Sequence, residues 1–456
     1  MNRKVLIFKN MRIKLLLIIL FTAIISCGCK NNANSISDND NTSVNKDENN
    51  NDEGDNLMNS SFDNLKEINI KEDNQPIEGS VIPDDSNLPQ MTTSHVSQTM
   101  QSNAILAEGN LSRLASVMRK AKSGEPITVG VIGGSITQGS SASNEKNSYA
   151  YHVYQWWKKA FPKTEVNYIN AGIGATNSYL AVHRVDKDLL AHKPDVVIVE
   201  FSVNDSDTTF FRNTYEDLVR KILKADNNPA VISLYMTMED GTSAQTQHMY
   251  VGFHYDLPRI SYRQAVLAEM EEGSLAWKEI SPDNIHPNDK GHAIVGEIMW
   301  NFFNSVYLRM DTIDDEPEYI IKDPLSSEAY ANASILDSET IEPKQMGSFK
   351  KGNIFDRFNN NWFTDSGEEP IIFDVTAKNI GIMYYKTTNG TGGQYEIYID
   401  GEYNKTLDAD FSGGWGNYAE TTEVYSSKEV KTHTIEIRKS DTSTGDFFAV
   451  LGLLIS

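Results

Sequence analysis

The chain has 456 residues, room for two domains and a leader. A formal net charge of −22 argues against non-specific nucleic-acid binding, because phosphates would be repelled. The only cysteines are Cys27 and Cys29, which excludes a disulfide framework, a cysteine nucleophile and a zinc–thiolate site from the body of the chain.

In chain order, Arg3, Lys4, Lys9, Arg12 and Lys14 precede an apolar run from Leu15 to Ile25. That run is too short to span a bilayer comfortably. It ends in Ile24-Ile25-Ser26-Cys27, which resembles the lipobox of bacterial lipoproteins. The resemblance implies a signal peptide over 1–27, lipidation of Cys27, and an extracytoplasmic protein held at the cell membrane or cell surface by its acyl chains. The alternatives are an ordinary secretory signal cleaved near Cys29 and an uncleaved anchor. Met11 is a second candidate start, since Met11-Arg12-Ile13-Lys14 makes a complete basic leader by itself.

Residues 28–95 are expected to be a disordered tether. Residues 30–90 hold 14 Asp and Glu against 4 Lys, a net of −10, and residues 31–60 hold 11 Asn. Such a segment has too little apolar area to offset its ordering entropy.

Residues 96–310 read as a globular α/β domain. Helices are expected over 111–121, 149–161, 179–191, 215–225, 261–271 and 294–307, and strands over 127–132, 165–170, 195–203 and 230–236. Continuously apolar strands alternating with amphipathic helices imply a mostly parallel sheet covered on both faces. Ligands of such sheets bind at the C-terminal ends of the strands.

Residues 311–345 are acidic, contain Pro317, Pro324 and Pro343, and read as a linker. Residues 346–456 show short alternating strands (371–373, 380–385, 395–399, 433–437 and 447–454), with Asp400-Gly401 as a hairpin turn. This portion is predicted to be a β-sandwich or jelly roll.

The chemistry-bearing residues cluster at predicted strand ends. Ser135 lies in Gly133-Gly134-Ser135-Ile136-Thr137, after an apolar strand. A serine hydroxyl needs a base, an acid to orient that base, and donors for the developing oxyanion. By itself Ser135 is equally a helix N-cap. Asp283-Asn284-Ile285-His286-Pro287 offers an Asp-x-x-His pair, but Asp289-Lys290-Gly291-His292 offers another, so the base is His286 or His292. Asn204 closes a strand, where its amide donates to an oxyanion or only to a local turn. Asp205 beside it reads as a helix cap. The loop Asn170-Ala171-Gly172-Ile173-Gly174-Ala175-Thr176 supplies backbone N–H groups or is a simple glycine turn.

Together these residues resemble the SGNH hydrolases, the GDSL-type esterases. Gly133 to Thr137 matches the first block of that family, Asn170 to Thr176 the second, Val203-Asn204-Asp205 the third, and Asp283 to His286 with Gly291-His292 the fifth. The resemblance implies a flavodoxin-like three-layer fold, the triad Ser135, Asp283 and His286 (in preference to His292), and an oxyanion hole from Ser135, Gly174 or Ala175, and Asn204. It implies no metal and no cofactor. Two departures stand out: Gly134 replaces the usual Asp before the serine, and the usual oxyanion glycine falls on Ala175, after Gly174.

An exported member with a C-terminal β domain looks like a carbohydrate esterase that removes O-acetyl groups from a polysaccharide. Trp362, Tyr384, Tyr385, Trp415 and Tyr418 are the aromatics that would stack on sugars, although aromatics also fill β cores. Arg184, His248, His254 and Tyr255 fall near the expected cleft, with structural roles the simpler reading. Rival readings are a short-chain carboxylesterase or lipase acting on lipids, and a surface carbohydrate-binding lipoprotein with an idle α/β domain.

Overall fold

A computed structural model describes residues 88–314 and 319–456. The leader, Cys27 and nearly all of the expected tether lie outside the described residues. No helix among the described residues is long and apolar enough to cross a membrane.

Six strands form the first sheet: Ile105–Ala107 (β1), Ile127–Gly133 (β2), Val166–Gly172 (β3), Val196–Glu200 (β4), Ala230–Tyr235 (β5) and Arg259–Ser261 (β6). Their order is β1-β6-β5-β4-β2-β3, with every pair parallel except β1–β6. This is the expected flavodoxin-like sheet, with one antiparallel edge strand added. Strand order reverses at β2, whose neighbours β3 and β4 follow it in sequence. A crevice opens above such a switch point.

Side chains alternate across the central strands. Val129, Val131, Val196 and Ile198 enter one core with Trp156, Ile298 and Phe303, while Ile132, Val197 and Val199 enter the other with Leu180, Tyr215 and Leu218. The sheet is thus covered on both faces by helices, including Tyr149–Ala160 and Asp289–Tyr307 on the first and Ser178–Asp188 and Thr209–Leu223 on the second.

The remaining strands are Ser334–Leu336 (β7), Lys350–Gly352 (β8), Asn361–Thr364 (β9), Ile371–Lys386 (β10), Gln394–Ile399 (β11), Glu402–Asp408 (β12), Tyr418–Lys439 (β13) and Phe448–Ile455 (β14). They form an all-antiparallel sheet ordered β12-β11-β13-β10-β14-β9-β8, with β7 beside β14. The two runs expected at 371–373 and 380–385 belong to one long strand, β10, whose register shifts twice between Ala377 and Gly381. Asp400 and Gly401 both have positive φ, +55° and +87°, the backbone that a two-residue hairpin turn requires.

The C-terminal domain shares a core with the α/β domain. Met383, Ala419, Leu451 and Leu454 pack with Leu180, Val185 and Tyr215 in a single apolar cluster. The stretch expected to be a linker is tied down here. The N–H groups of Leu325 and Ser326 donate to the Glu216 carboxylate (2.5 and 2.8 Å), and that of Tyr330 to Asp217 (2.8 Å). The last residues of the expected tether are also held, the His95 N–H donating to Glu297 at 2.6 Å. Composition suggested mobility in both stretches, but buried carboxylates on neighbouring helices supply acceptors that their backbone amides need.

Candidate active site

Ser135 opens a four-residue helix, Ser135–Gln138, where β2 ends. The two preceding glycines permit this turn. A Cβ on Gly133 would lie 2.0 Å from Thr137 Oγ1, and one on Gly134 would lie 2.1 Å from Asn204 Oδ1. Glycine is the residue that tolerates so close an approach.

The Ser135 hydroxyl lies 2.9 Å from His286 Nε2, and His286 Nδ1 lies 2.8 Å from Asp283 Oδ2. With Nδ1–H donating to the carboxylate, Nε2 presents its lone pair to the serine. The second Asp283 oxygen accepts the N–H groups of Ile285 and His286, each at 2.7 Å. Partial burial pushes the Asp283 carboxyl up, but these amide bonds and the His286 ring hold it below the ordinary carboxylate range. Ser281 Oγ and Trp277 Nε1 donate to the Asp283 carbonyl at 2.7 and 2.6 Å, which fixes the loop from outside.

The rival pair is occupied elsewhere. His292 lies inside the helix Asp289–Tyr307, not before it, and is fully buried. Its Nδ1 accepts from the Tyr149 N–H at 3.3 Å and its Nε2 meets the Ser140 carbonyl at 3.1 Å. Burial pushes its pKa down to about 4, so the ring is neutral and bolts the 140–149 segment to the helix. Asp289 accepts from the Ser143 N–H and hydroxyl and from Asn147 Nδ2.

Gly174 and Ala175 line the same cleft as Ser135. The Gly174 N–H donates to Gln138 Oε1 at 2.5 Å, and Ala175 adopts a left-handed φ of +56°. Asn204 follows β4, and its Oδ1 is buried with no hydrogen-bond partner among the described residues. Asp205 is not a helix cap of the next helix. It accepts from the Ser178 N–H at 2.8 Å and pairs at 2.9 Å with His248, whose ring stacks on Tyr215. This buried pair pins the Asn204 turn to its neighbours.

Arg184 is buried as well, donating to the carbonyls of Ala171 (2.8 Å) and Gly133 (3.2 Å) and so tying the ends of β2 and β3 together. Tyr255 donates to Glu216 and accepts from Arg220, and His254 Nε2 meets the Asp323 carbonyl at 2.7 Å. All four of these side residues are structural. Beneath the site, Glu200 is fully buried at the end of β4, and burial pushes its carboxyl up to about 8.

The cleft above Ser135 encloses about 640 Å³. Ser135, Gln138, Asn204 and His286 of the α/β domain line it, together with Phe355, Arg357, Trp415, Asn417 and Tyr418 of the C-terminal domain. Trp415 is 71% exposed and stacks on Tyr418 at 5.1 Å, with Phe411 edge-on at 5.7 Å. The other suspected sugar-stacking aromatics are placed differently. Trp362 and Tyr384 are buried in the β core, and Tyr385 packs against Phe355 and Phe447. Gln138, Phe355, Arg357 and Asn417 escaped the sequence reading, because no local pattern marks them.

The GDSL-like Lipase/Acylhydrolase family matches residues 131–294. A two-domain esterase active on acetylated mannans, co-crystallised with mannopentaose, is 36% identical, covering 79% of this chain and 98% of its own with a TM-score of 0.73. A second structure, a two-domain esterase active on acetylated mannans, matches at 36% identity over 78% of this chain and 98% of its own, again with a TM-score of 0.73. An acetyl xylan esterase is 23% identical over 38% of this chain and 98% of its own, with a TM-score of 0.32. No curated protein sequence matches the chain.

Proposed function

This chain belongs to the GDSL-like lipase/acylhydrolase family, the SGNH carbohydrate esterases, and is a carboxylic ester hydrolase; from that premise we propose that it removes O-acetyl groups from a mannan-type polysaccharide through a Ser135–His286–Asp283 triad. One observation carries the reading. Ser135 and His286 meet within hydrogen-bond reach in a cleft that is also lined by the exposed Trp415 and by Tyr418 stacked on it. An acetyl group reaches the serine from a sugar lying across that aromatic pair. The relatives active on acetylated mannans support the substrate class. A lipase reading has less support, because the relatives matched at 36% identity are active on acetylated mannans.

Ser135 Oγ attacks the acetyl carbonyl as His286 Nε2 takes its proton. Negative charge on the carbonyl oxygen is met by the Ser135 N–H, by the N–H of Gly174 or Ala175, and by the Asn204 amide. Gln138 caps Gly174 at rest, so a bound oxyanion either displaces that side chain or uses Ala175. His286 then protonates the leaving sugar hydroxyl. Water repeats the cycle on the acetyl-enzyme and frees acetate. Asn204→Ala should lower kcat by about 10²–10³ with little change in KM; unchanged turnover would remove Asn204 from this role.

Acetate release from acetylated mannan and acetylated xylan, beside 4-nitrophenyl acetate, tests the substrate. Mannan is expected to be preferred. Trp415→Ala should lower kcat/KM on the polymer by on the order of tenfold, equivalent to about 1.4 kcal/mol, and leave the small ester unaffected. Equal loss on both substrates would mean that Trp415 does not hold sugar. Preference for long acyl chains would restore the lipase reading.

We further propose export and lipid attachment at Cys27, supported by the basic leader, the short apolar run and the lipobox-like Ile24-Ile25-Ser26-Cys27. Fatty-acid labelling of the wild type but not of Cys27→Ser is the expected outcome. Label in neither protein would refute the anchor.

A further inference from the structure

We propose that Glu200 is a positioning residue for Ser135: acting through Thr137, its protonated side chain holds the turn that carries the nucleophile, and loss of that proton releases the turn. The inference rests on Ser135 being the nucleophile.

Glu200 is the last residue of β4 and pairs across the sheet with Gly133 of β2, two residues before Ser135. Thr137 belongs to the short helix that Ser135 begins. Thr137 Oγ1 donates to Glu200 Oε2 at 3.1 Å and lies 2.7 Å from the Tyr149 hydroxyl. Glu200, Thr137 and Tyr149 are all fully buried. One chain of hydrogen bonds therefore joins a sheet strand, the Ser135 turn and the helix Tyr149–Ala160.

The surroundings favour a neutral acid. Glu200 Oε1 is buried with no hydrogen-bond partner among the described residues, the natural place for a proton and a costly one for half of a carboxylate charge. Thr137 and the Ser202 N–H favour the anion, but burial outweighs both and Asp205 adds repulsion, although His248 engages that carboxylate. Tyr149 and Tyr215, facing from the two flanking helices, bring no positive charge, and their hydroxyls are pushed up well above 10. Among the described residues, no salt bridge from a lysine or arginine reaches Glu200, and the main influences on its carboxyl are burial, Thr137, Asp205 and Ser202. Burial places the Glu200 transition at about 8. A charge created there would pull on Thr137 and draw water toward the base of the turn, moving Ser135 relative to His286.

The sign of the accompanying stability change is fixed. A carboxyl raised from 4.5 to about 8 in the folded state costs nothing below pH 4.5. Its penalty grows as pH rises between these values and is constant above the upper one.

The test is the pH profile of acetate release, with thermal stability measured at each pH. The wild type should show kcat halved near pH 8 and falling further above it, while still folded. Glu200→Gln, which has the same shape and never ionises, should keep kcat within about threefold at pH 7 and lose that alkaline fall. Thr137→Val should lower kcat at least tenfold with KM unchanged, and Thr137→Ser should restore it. An identical alkaline fall in Glu200→Gln, or full kcat in Thr137→Val, would overturn the proposal. Should Glu200→Gln fail to fold, the threonine pair decides. Ser135→Ala serves as the control: if that variant is active, the assignment of the nucleophile has failed rather than this inference.

Discussion

Replacing Ser135 by Ala is expected to lower kcat by on the order of 10⁶ on every ester tested. The hydroxyl supplies the electrons that form the acyl-enzyme, and nothing in the cleft replaces it. The fold should not notice. Among the described residues the Ser135 hydroxyl bonds only to His286, and its backbone bonds survive in alanine. Melting should therefore match the wild type, so that inactivity reads as lost chemistry. A residual rate roughly 10³ above the uncatalysed reaction should persist from binding and oxyanion stabilisation. Acetate release by the variant at the wild-type rate would reject Ser135 as the nucleophile.

Asp283→Asn should cost about 10⁴ in kcat near neutral pH, nearly as much as losing the serine, despite a near-identical shape. Asp283 Oδ1 accepts two backbone N–H groups and Oδ2 accepts the ring N–H. An asparagine keeps its oxygen on the two amides and turns its NH₂ toward His286 Nδ1. The ring then carries its proton on Nε2, the atom that must accept the proton of Ser135. Substrate binding should be little changed, so kcat falls and KM does not. The same bonds bear on acid sensitivity. A carboxyl held below its ordinary value of 3.8 supports the ring at any pH above that value and loses its charge only below it. Loss of activity above pH 4 therefore does not arise from Asp283. A full-rate Asp283→Asn enzyme would show that His286 needs no oriented partner.

Much of this was legible before any coordinates. The strands at 127–132 and 230–236 and the helices at 111–121, 149–161 and 261–271 lie within a residue of their expected ends, because each buries a continuous face and so carries a strong local period. The strand expected over 195–203 stops at Glu200, and the helices expected from 215 and 294 begin at Thr209 and Asp289, the second with a polar first turn that hides the period. The Asp400-Gly401 hairpin was legible from two residues that tolerate positive φ. Less was visible where local signal is weak. The strand Tyr418–Lys439 is rich in Thr, Ser, Glu and Lys, and only its last turn of alternation at 433–437 stood out. The short strands β1 and β6 have three residues each, and the helix Gln245–His254 has no clean apolar stripe. The Asp-x-x-His spacing was legible twice, and by spacing alone the two copies are equivalent. Burial separates them: His292 spends both ring nitrogens on backbone groups, while His286 has one left for Ser135.

The class of sheet and the strand ends near which Ser135 and Asn204 stand were legible in the sequence, as was a candidate reactive set, because periodicity, glycine turns and short motifs act over a few residues. The tertiary structure alone brings Trp415, Tyr418 and Arg357 to the cleft that Ser135 lines, rests Gln138 on the Gly174 amide, and buries Glu200 against Thr137 beside the Ser135 turn. The reason is physical. These relations join residues far apart in the chain, and they exist because the C-terminal strands share an apolar core with helices Ser178–Asp188 and Thr209–Leu223, a contact that no local pattern encodes.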